Sequence, residues 1–254
     1  MAYDYAGKVV IITGGGRGLG AQITRAFARS GASILITGRN EAPLKETCDS
    51  LQREFGADIT AKVADGSDEE KVKETVAWLV NKYGRIDVLI NNAQALVHGV
   101  ALEKQTTANF DLAFKTGVYA TFYYMRACLP YLKETKGSII NMGSAAGIIG
   151  MEGFASYAAT KEAIRALTRV AATEWSKYGI NSNVICPAVS TPALLEWSKL
   201  HPEEYDQVMA GTPMKAFADG ETHVGGTCLF LASPAGKFIT GRTIDVDGGQ
   251  YLRP

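Results

Sequence analysis

The chain has 254 residues, 46% hydrophobic and 20% charged, with 26 Lys and Arg balanced by 26 Asp and Glu. Zero net charge without a clustered basic run leaves no electrostatic footprint for nucleic acid or an anionic membrane surface, so both are excluded as main partners. The length suits one large domain that buries roughly three quarters of its unfolded surface. The opening segment, Met1 to Lys8, lacks a basic stretch followed by an apolar one, and no run nears the ~18 apolar residues of a membrane span, so a soluble, cytoplasmic protein is expected. Cys48, Cys128, Cys186 and Cys228 are too scattered for a zinc site or a disulfide framework, as are His98, His201 and His223; reduced thiols and no metal are expected.

Short β-branched runs alternate with longer amphipathic stretches, the pattern of βαβ units around a parallel sheet buried on both faces. Lys8 to Thr13 reads as the first strand, and Leu19 to Ser30 as a helix stopped at Gly31. Ser33 to Thr37 is the second strand, Glu41 to Phe55 a helix ended by Gly56, and Ile59 to Val63 the third strand. Ser67 and Glu70 form a capping box for a helix that runs to Tyr83 and stops at Gly84. Ile86 to Ile90 is the fourth strand, followed by a helical region from Thr106 to Lys133 and a fifth strand, Ser138 to Met142. Tyr157 to Lys177 is helical, and Ile180 to Cys186 and Thr243 to Val246 complete the strands. The fold class is therefore α/β, a single Rossmann-type domain with a doubly wound parallel sheet of seven strands and helices on both faces. Only Thr191 to Ala218 stands outside the alternation.

Between the first strand and first helix lies Thr13-Gly14-Gly15-Gly16-Arg17-Gly18-Leu19-Gly20. Glycines there permit a tight turn and bring backbone N–H groups up to a pyrophosphate, which the helix N-terminus also favours. The strand before and helix after separate this from an ordinary glycine turn. After the second strand, where an acidic side chain would take the ribose 2′-OH of NAD, the chain reads Ile36-Thr37-Gly38-Arg39-Asn40. Gly38 leaves room for a 2′-phosphate, Arg39 can clamp it, and Arg17 offers a second guanidinium, so the expected cofactor is NADP(H). Asp65 either accepts from the adenine amino group or serves as a turn residue.

Ser144 follows the fifth strand, and thirteen residues later Tyr157 begins a helix with Lys161 four positions on, which places both on one helical face. A tyrosine is a poor acid at neutral pH, but an adjacent ammonium favours the phenolate, and Ser144 can hydrogen-bond a substrate oxygen. Together the three support hydride transfer at a carbonyl or carbinol carbon.

With these residues the sequence resembles the short-chain dehydrogenase/reductase family over almost its whole length. The resemblance rests on Thr13, Gly14, Gly18 and Gly20, on Asn91-Asn92-Ala93, on Ser144, Tyr157 and Lys161, on Pro187, and on the ending from Thr240-Gly241-Arg242 to Asp247-Gly248-Gly249. It implies that Tyr157 is the general acid/base, that Ser144 steadies the carbonyl, and that Lys161 binds the nicotinamide ribose and tunes Tyr157. It further implies that Asn92 stabilises the sheet near the cofactor, that backbone from Pro187 to Val189 approaches the carboxamide, and that the Thr191 hydroxyl assists. Three departures stand out. The family's asparagine in the long helix is replaced by Gly117; glycine keeps the backbone carbonyl that the family uses to hold a relay water. NNAG reads Asn91-Asn92-Ala93-Gln94, and Pro187 to Thr191 is one residue shorter than the commonest form.

The segment from Pro192 to Ala216 carries Leu194, Leu195, Trp197, Leu200, Tyr205, Val208, Met209 and Met214, too apolar for a fully exposed loop. It reads as a substrate lid over about 191–218, or as a segment packed on its own domain or a neighbour. Val97, Met151, Phe154 and Val189 are candidates for the same pocket. Apolar walls suit a bulky hydrophobic ketone or alcohol such as a steroid, terpene or aryl ketone. Glu196, Glu203, Glu204 and Asp206 against Lys199 and Lys215 disfavour an anionic acyl thioester. Two other functions stay in view: a 3-oxoacyl thioester reductase, and a dinucleotide-binding regulator without turnover, suggested by Gly117 and Gln94. Tyr119, Phe122, Tyr123 and Tyr124 in the long helix exceed what one core face needs, as do the many alanines of the Tyr157 helix, and the resemblance implies a dimer or tetramer built through those two helices.

Overall fold

Seven apolar runs pair into one parallel sheet: β1 (Val9–Thr13), β2 (Ser33–Gly38), β3 (Ile59–Val63), β4 (Val88–Asn91), β5 (Ser138–Met142), β6 (Asn181–Pro187) and β7 (Thr243–Val246). Their order is β3-β2-β1-β4-β5-β6-β7, with every pairing parallel. The computed structural model describes residues 3–252; Met1, Ala2, Arg253, Pro254 and the side chains of 192 and 193 lie outside that description. Every residue of β1 and β5 is buried because helices cover both faces, which is why these strands read as unbroken apolar runs rather than alternating ones. On one face Val10, Ile12, Ile34 and Ile36 pack with Phe27 of α1 (Gly18–Arg29) and Leu44 of α2 (Glu41–Phe55). On the other, Val9, Ile11 and Leu35 meet Val76 and Leu79 of α3 (Glu69–Tyr83).

Helix ends follow the punctuation in the sequence. Gly56 and Gly84 adopt left-handed conformations at φ of 63° and 71° where α2 and α3 stop. The start of α3 differs from expectation: Asp68 is the cap, accepting from the N–H groups of Glu70 and Lys71 at 3.0 and 3.1 Å. A carboxylate at the helix end outcompetes the neighbouring hydroxyl, and Ser67 instead donates to Asp65 from both its backbone N–H and its hydroxyl. The fourth strand begins later than expected, at Val88, although the Asp87 backbone still donates to the Val9 carbonyl at 2.8 Å and accepts from Ser138 N–H at 2.9 Å; its carboxylate accepts from Val9 N–H and from Arg85.

The long helical region is not one regular helix. It runs as α4 (Thr107–Phe114), a π-helical turn at Lys115–Tyr119, and α5 (Ala120–Thr135). Such turns insert a residue and commonly mark functional positions; Gly117 sits at the centre of this one. After β5 come α6 (Ala145–Ile149) and α7 (Ala155–Trp175), the latter starting two residues before Tyr157. The segment outside the alternation folds as α8 (Pro192–Leu200) and α9 (Pro202–Gly211), and α10 (Gly226–Ala232) precedes β7. Its two ends are clasped together, with Ser190 N–H donating to the Ala218 carbonyl at 3.0 Å and Ala218 N–H to the Ala188 carbonyl at 2.8 Å.

A buried amide chain fastens α7 to the sheet. Asn91 Nδ2 donates to Asn141 Oδ1 at 2.8 Å, and Asn141 Nδ2 donates to Thr168 Oγ1 at 2.9 Å. Replacing Asn141 with leucine orphans the Asn91 donor and is expected to cost about 1–3 kcal/mol. Differential scanning fluorimetry should record a Tm lower by several degrees; an unchanged Tm would remove the chain from the account.

Candidate active site

The strand order reverses direction between β1 and β4, and the crevice beyond their C-terminal ends is where open α/β sheets bind ligands. There the two strands are stitched by Thr13, whose Oγ1 accepts from the N–H groups of Asn92 and Ala93 at 2.9 and 3.0 Å, while Asn92 Nδ2 donates to the Thr13 carbonyl at 3.0 Å. The result is a cleft of about 540 Å³ whose wall includes Gly14, Gly16, Arg17, Gly18, Leu19, Gly20, Arg39, Asp65, Asn92 and Thr191. Sequence reasoning placed all of these at a dinucleotide, and the fold gathers them in one place.

The residues fit such a ligand. Gly20 lies so close to the preceding turn that a Cβ there would overlap the Gly14 carbonyl oxygen and stand 2.6 Å from Asn92 Nδ2. Only glycine lets the loop fold back tightly enough to leave the helix N-terminus open to an anion. Across the cleft, Arg17 and Arg39 are exposed, and neither guanidinium has a hydrogen bond or ion pair among the described residues. Asp65 stands near Arg39. Burial pushes its carboxyl up, but two hydrogen bonds from Ser67 and the Arg39 charge outweigh that and hold it below the usual carboxylate range. Asp65 is thus a turn residue that also faces the cleft.

Ser144, Tyr157, Lys161, Pro187 and Val189 lie beyond this wall, at the ends of β5 and β6. Ser144 caps α6, its Oγ accepting from Ala146 N–H at 3.1 Å, and its hydroxyl lies close enough to Tyr157 to favour the phenolate. Lys161, one turn along α7, is buried and donates from Nζ to the Met142 carbonyl at 2.8 Å. Tyr157 packs edge-on against Phe154 with ring centroids 6.1 Å apart, and Phe154 stacks on His98 at 5.9 Å. Phe154 was expected near the pocket; His98 was not, and a scattered histidine gives no local signal. Thr191 caps α8, accepting from Leu194 N–H at 3.2 Å.

The electrostatics correct one expectation. The Tyr157 phenol is pushed above its ordinary value, chiefly by burial, with the Ser144 hydrogen bond working against the rise and Cys186 adding to it. Lys161 does not offset this: its ammonium stands 5.3 Å from the phenol ring centroid and is turned to Met142. Burial lowers the Lys161 pKa to about 8, with Cys186 acting in the opposite sense. The folded pKa lies below the unfolded one, so the unfolded chain binds more protons between about pH 8 and 10.5 and stability rises with pH there. Holding the ammonium at pH 7 costs roughly 3 kcal/mol. Lys161→Met is therefore expected to raise Tm at pH 7, with the gain shrinking by pH 10; a variant less stable at both pH values would contradict this.

Comparisons with known proteins agree with the geometry. A family profile described as "Enoyl-(Acyl carrier protein) reductase" matches residues 14–250. The chain is 47% identical to the 12alpha-hydroxysteroid dehydrogenase of a Clostridium species, covering 98% of this chain and 99% of that one. It is 34% identical to the L-fucose dehydrogenase of Bos taurus, covering 99% and 92%. A crystal structure of a putative gluconate dehydrogenase from Agrobacterium tumefaciens superposes with a TM-score of 0.91 at 30% identity, covering 98% of both chains. The chain belongs to the short-chain dehydrogenase/reductase family. It is an oxidoreductase of the CH–OH/C=O type, in a family that uses nicotinamide dinucleotides.

Proposed function

We propose that the protein is an NADP(H)-dependent oxidoreductase that interconverts a steroid ketone and the corresponding secondary alcohol. The observation that carries the reading is the convergence of Ser144, Tyr157 and Lys161 beside the cleft, in a chain 47% identical to a 12alpha-hydroxysteroid dehydrogenase. A dinucleotide bound in the cleft supplies or accepts the hydride. Ser144 donates a hydrogen bond to the substrate oxygen, and the Tyr157 phenol, neutral at pH 7 as tyrosines are, delivers the proton as negative charge develops there. Lys161 would hold the nicotinamide ribose, backbone at Pro187 to Val189 and the Thr191 hydroxyl would hold the carboxamide, and Arg39 and Arg17 would take the 2′-phosphate.

The α8–α9 segment is the lid. Its clasp at residues 188–190 and 218 is a natural hinge, and its aromatic pairs, Trp197 with His201 and Tyr205 with Phe217, give it a rigid apolar body. Exposed Tyr119, Phe122 and Val170 on the long helix and α7 support assembly into a dimer or tetramer. In size-exclusion chromatography with light scattering, Val170→Asp should shift the protein towards a smaller species.

A 32% likeness to a 3-oxoacyl-[acyl-carrier-protein] reductase of Thermotoga maritima, over 97% of this chain, favours one second reading, reduction of the ketone of a 3-oxoacyl thioester. Initial rates of NADPH consumption with steroid ketones and with 3-oxoacyl thioesters separate the two. Turnover of the steroids alone supports the proposal, turnover of the thioesters alone replaces it, and none with either substrate points to a regulator that binds dinucleotide without reaction.

A further inference from the structure

We propose that Gln94, reaching from the loop after β4 into the space left open beside Gly117, positions the π-helical turn against the helix bearing Tyr157 and Lys161. The inference rests on the oxidoreductase reading and adds a positioning residue to it. The two departures from the family pattern prove to be neighbours in space. A Cβ built on Gly117 would come within 3.0 Å of both Gln94 Cδ and Gln94 Nε2, and would overlap Thr160 Cγ2. Gln94 therefore fills from one side the room that a side chain at 117 would fill from the other. Thr160 cannot turn its methyl away cheaply, because it is buried and its Oγ1 donates to the Ser156 carbonyl at 2.7 Å.

The same two segments are tied one residue further along, where Ala95 N–H donates to Thr116 Oγ1 at 3.1 Å and Thr116 in turn donates to the Leu112 carbonyl at 2.7 Å. The loop after β4 and the π-helical turn thus form one unit, and Thr160 joins it to Lys161, the next residue on α7. Both amide atoms of Gln94 are shielded from solvent without a hydrogen-bond partner. If volume alone mattered at this position, leucine would fill it without leaving a buried donor and acceptor unpaired. The carboxamide is accordingly a polar group held ready beside the catalytic helix, and Gln94 also lines the dinucleotide cleft.

The test compares Gln94→Leu, Gly117→Asn, the exchange variant Q94G/G117N/T160S and Tyr157→Phe in the full-length protein. It reads Tm, dinucleotide Kd by fluorescence titration, and kcat as a function of pH. Gln94→Leu should keep its Kd and keep or raise its Tm, yet lose about tenfold or more in kcat with a displaced pH profile, the scale expected of a slightly misplaced catalytic group. Gly117→Asn alone should lower Tm, and the exchange variant should recover most of the lost turnover. A Gln94→Leu enzyme with unaltered kcat and pH profile, or a Gly117→Asn enzyme with unaltered Tm, overturns the inference. Tyr157→Phe separates the levels: if it is inactive while Gln94→Leu behaves as wild type, only this inference fails, whereas an active Tyr157→Phe removes the reading beneath it and the inference with it.

Discussion

Tyr157→Phe is expected to lower kcat by about 10²–10⁴, the range that a positioned acid or base contributes, while dinucleotide binding stays near the wild-type value. The substitution removes one oxygen and leaves the ring packed on Phe154, so neither α7 nor the sheet has reason to shift. What it removes is the group that hands a proton to the substrate oxygen. A phenol at its ordinary pKa near 10 is already neutral at pH 7, and burial acts in the same direction, so the resting form suits reduction. Oxidation needs the phenolate, so its rate should climb as pH rises. Stopped-flow measurement in both directions checks this; comparable rates for the variant and wild type would refute the assignment.

The second large effect concerns cofactor choice. A charge-assisted hydrogen bond contributes about 1.5–3 kcal/mol, so Arg39→Ala should weaken NADPH binding roughly ten- to 150-fold while leaving NADH almost untouched. The complementary change is Gly38→Asp. The nearest neighbours of a Cβ at position 38 are Leu44 side-chain atoms at 3.5 to 3.8 Å, which is ordinary contact, so a side chain can start from this position without a clash at its Cβ. It would accept from a ribose 2′-OH and repel a 2′-phosphate. The pair G38D/R39A should therefore prefer NADH. Equal binding of both dinucleotides by the wild-type protein would contradict the arginine argument, as would an Arg39→Ala variant that keeps its NADPH affinity.

Much of this was legible in the sequence because it is local. The strand–glycine–helix run at Thr13 to Gly20 and the four-residue spacing of Tyr157 and Lys161 are set by turn and helix geometry alone, and the fold leaves them where the spacing puts them. The cap of α3 lies one residue beyond the expected one: Ser67 and Asp68 are both good caps, and Ser67 is taken up by Asp65, which leaves the helix end to the Asp68 carboxylate. The contact of Gln94 with Gly117 lay beyond reach because it depends on how the β4 loop packs on a distant helix. Lone polar residues in apolar strands were the overlooked signal. Asn141, in Ser138-Ile139-Ile140-Asn141-Met142, had to find partners and found them in Asn91, Thr168 and the Met125 sulfur. The expected lowering of the Tyr157 pKa failed for a different reason, since spacing brings Lys161 to the right face of the helix but does not say that its Nζ will turn to a strand carbonyl.

The central claim is that this chain moves a hydride between a nicotinamide ring and a steroid carbon while Tyr157 handles the proton. Its most direct test is to supply NADPH deuterated at the transferring position of C4 together with a panel of oxosteroids that differ in the position of the ketone, and to weigh the products by mass spectrometry. A hydroxysteroid carrying one deuterium at the carbinol carbon is the expected result; a panel left unreduced, or an alcohol without the label, would contradict it.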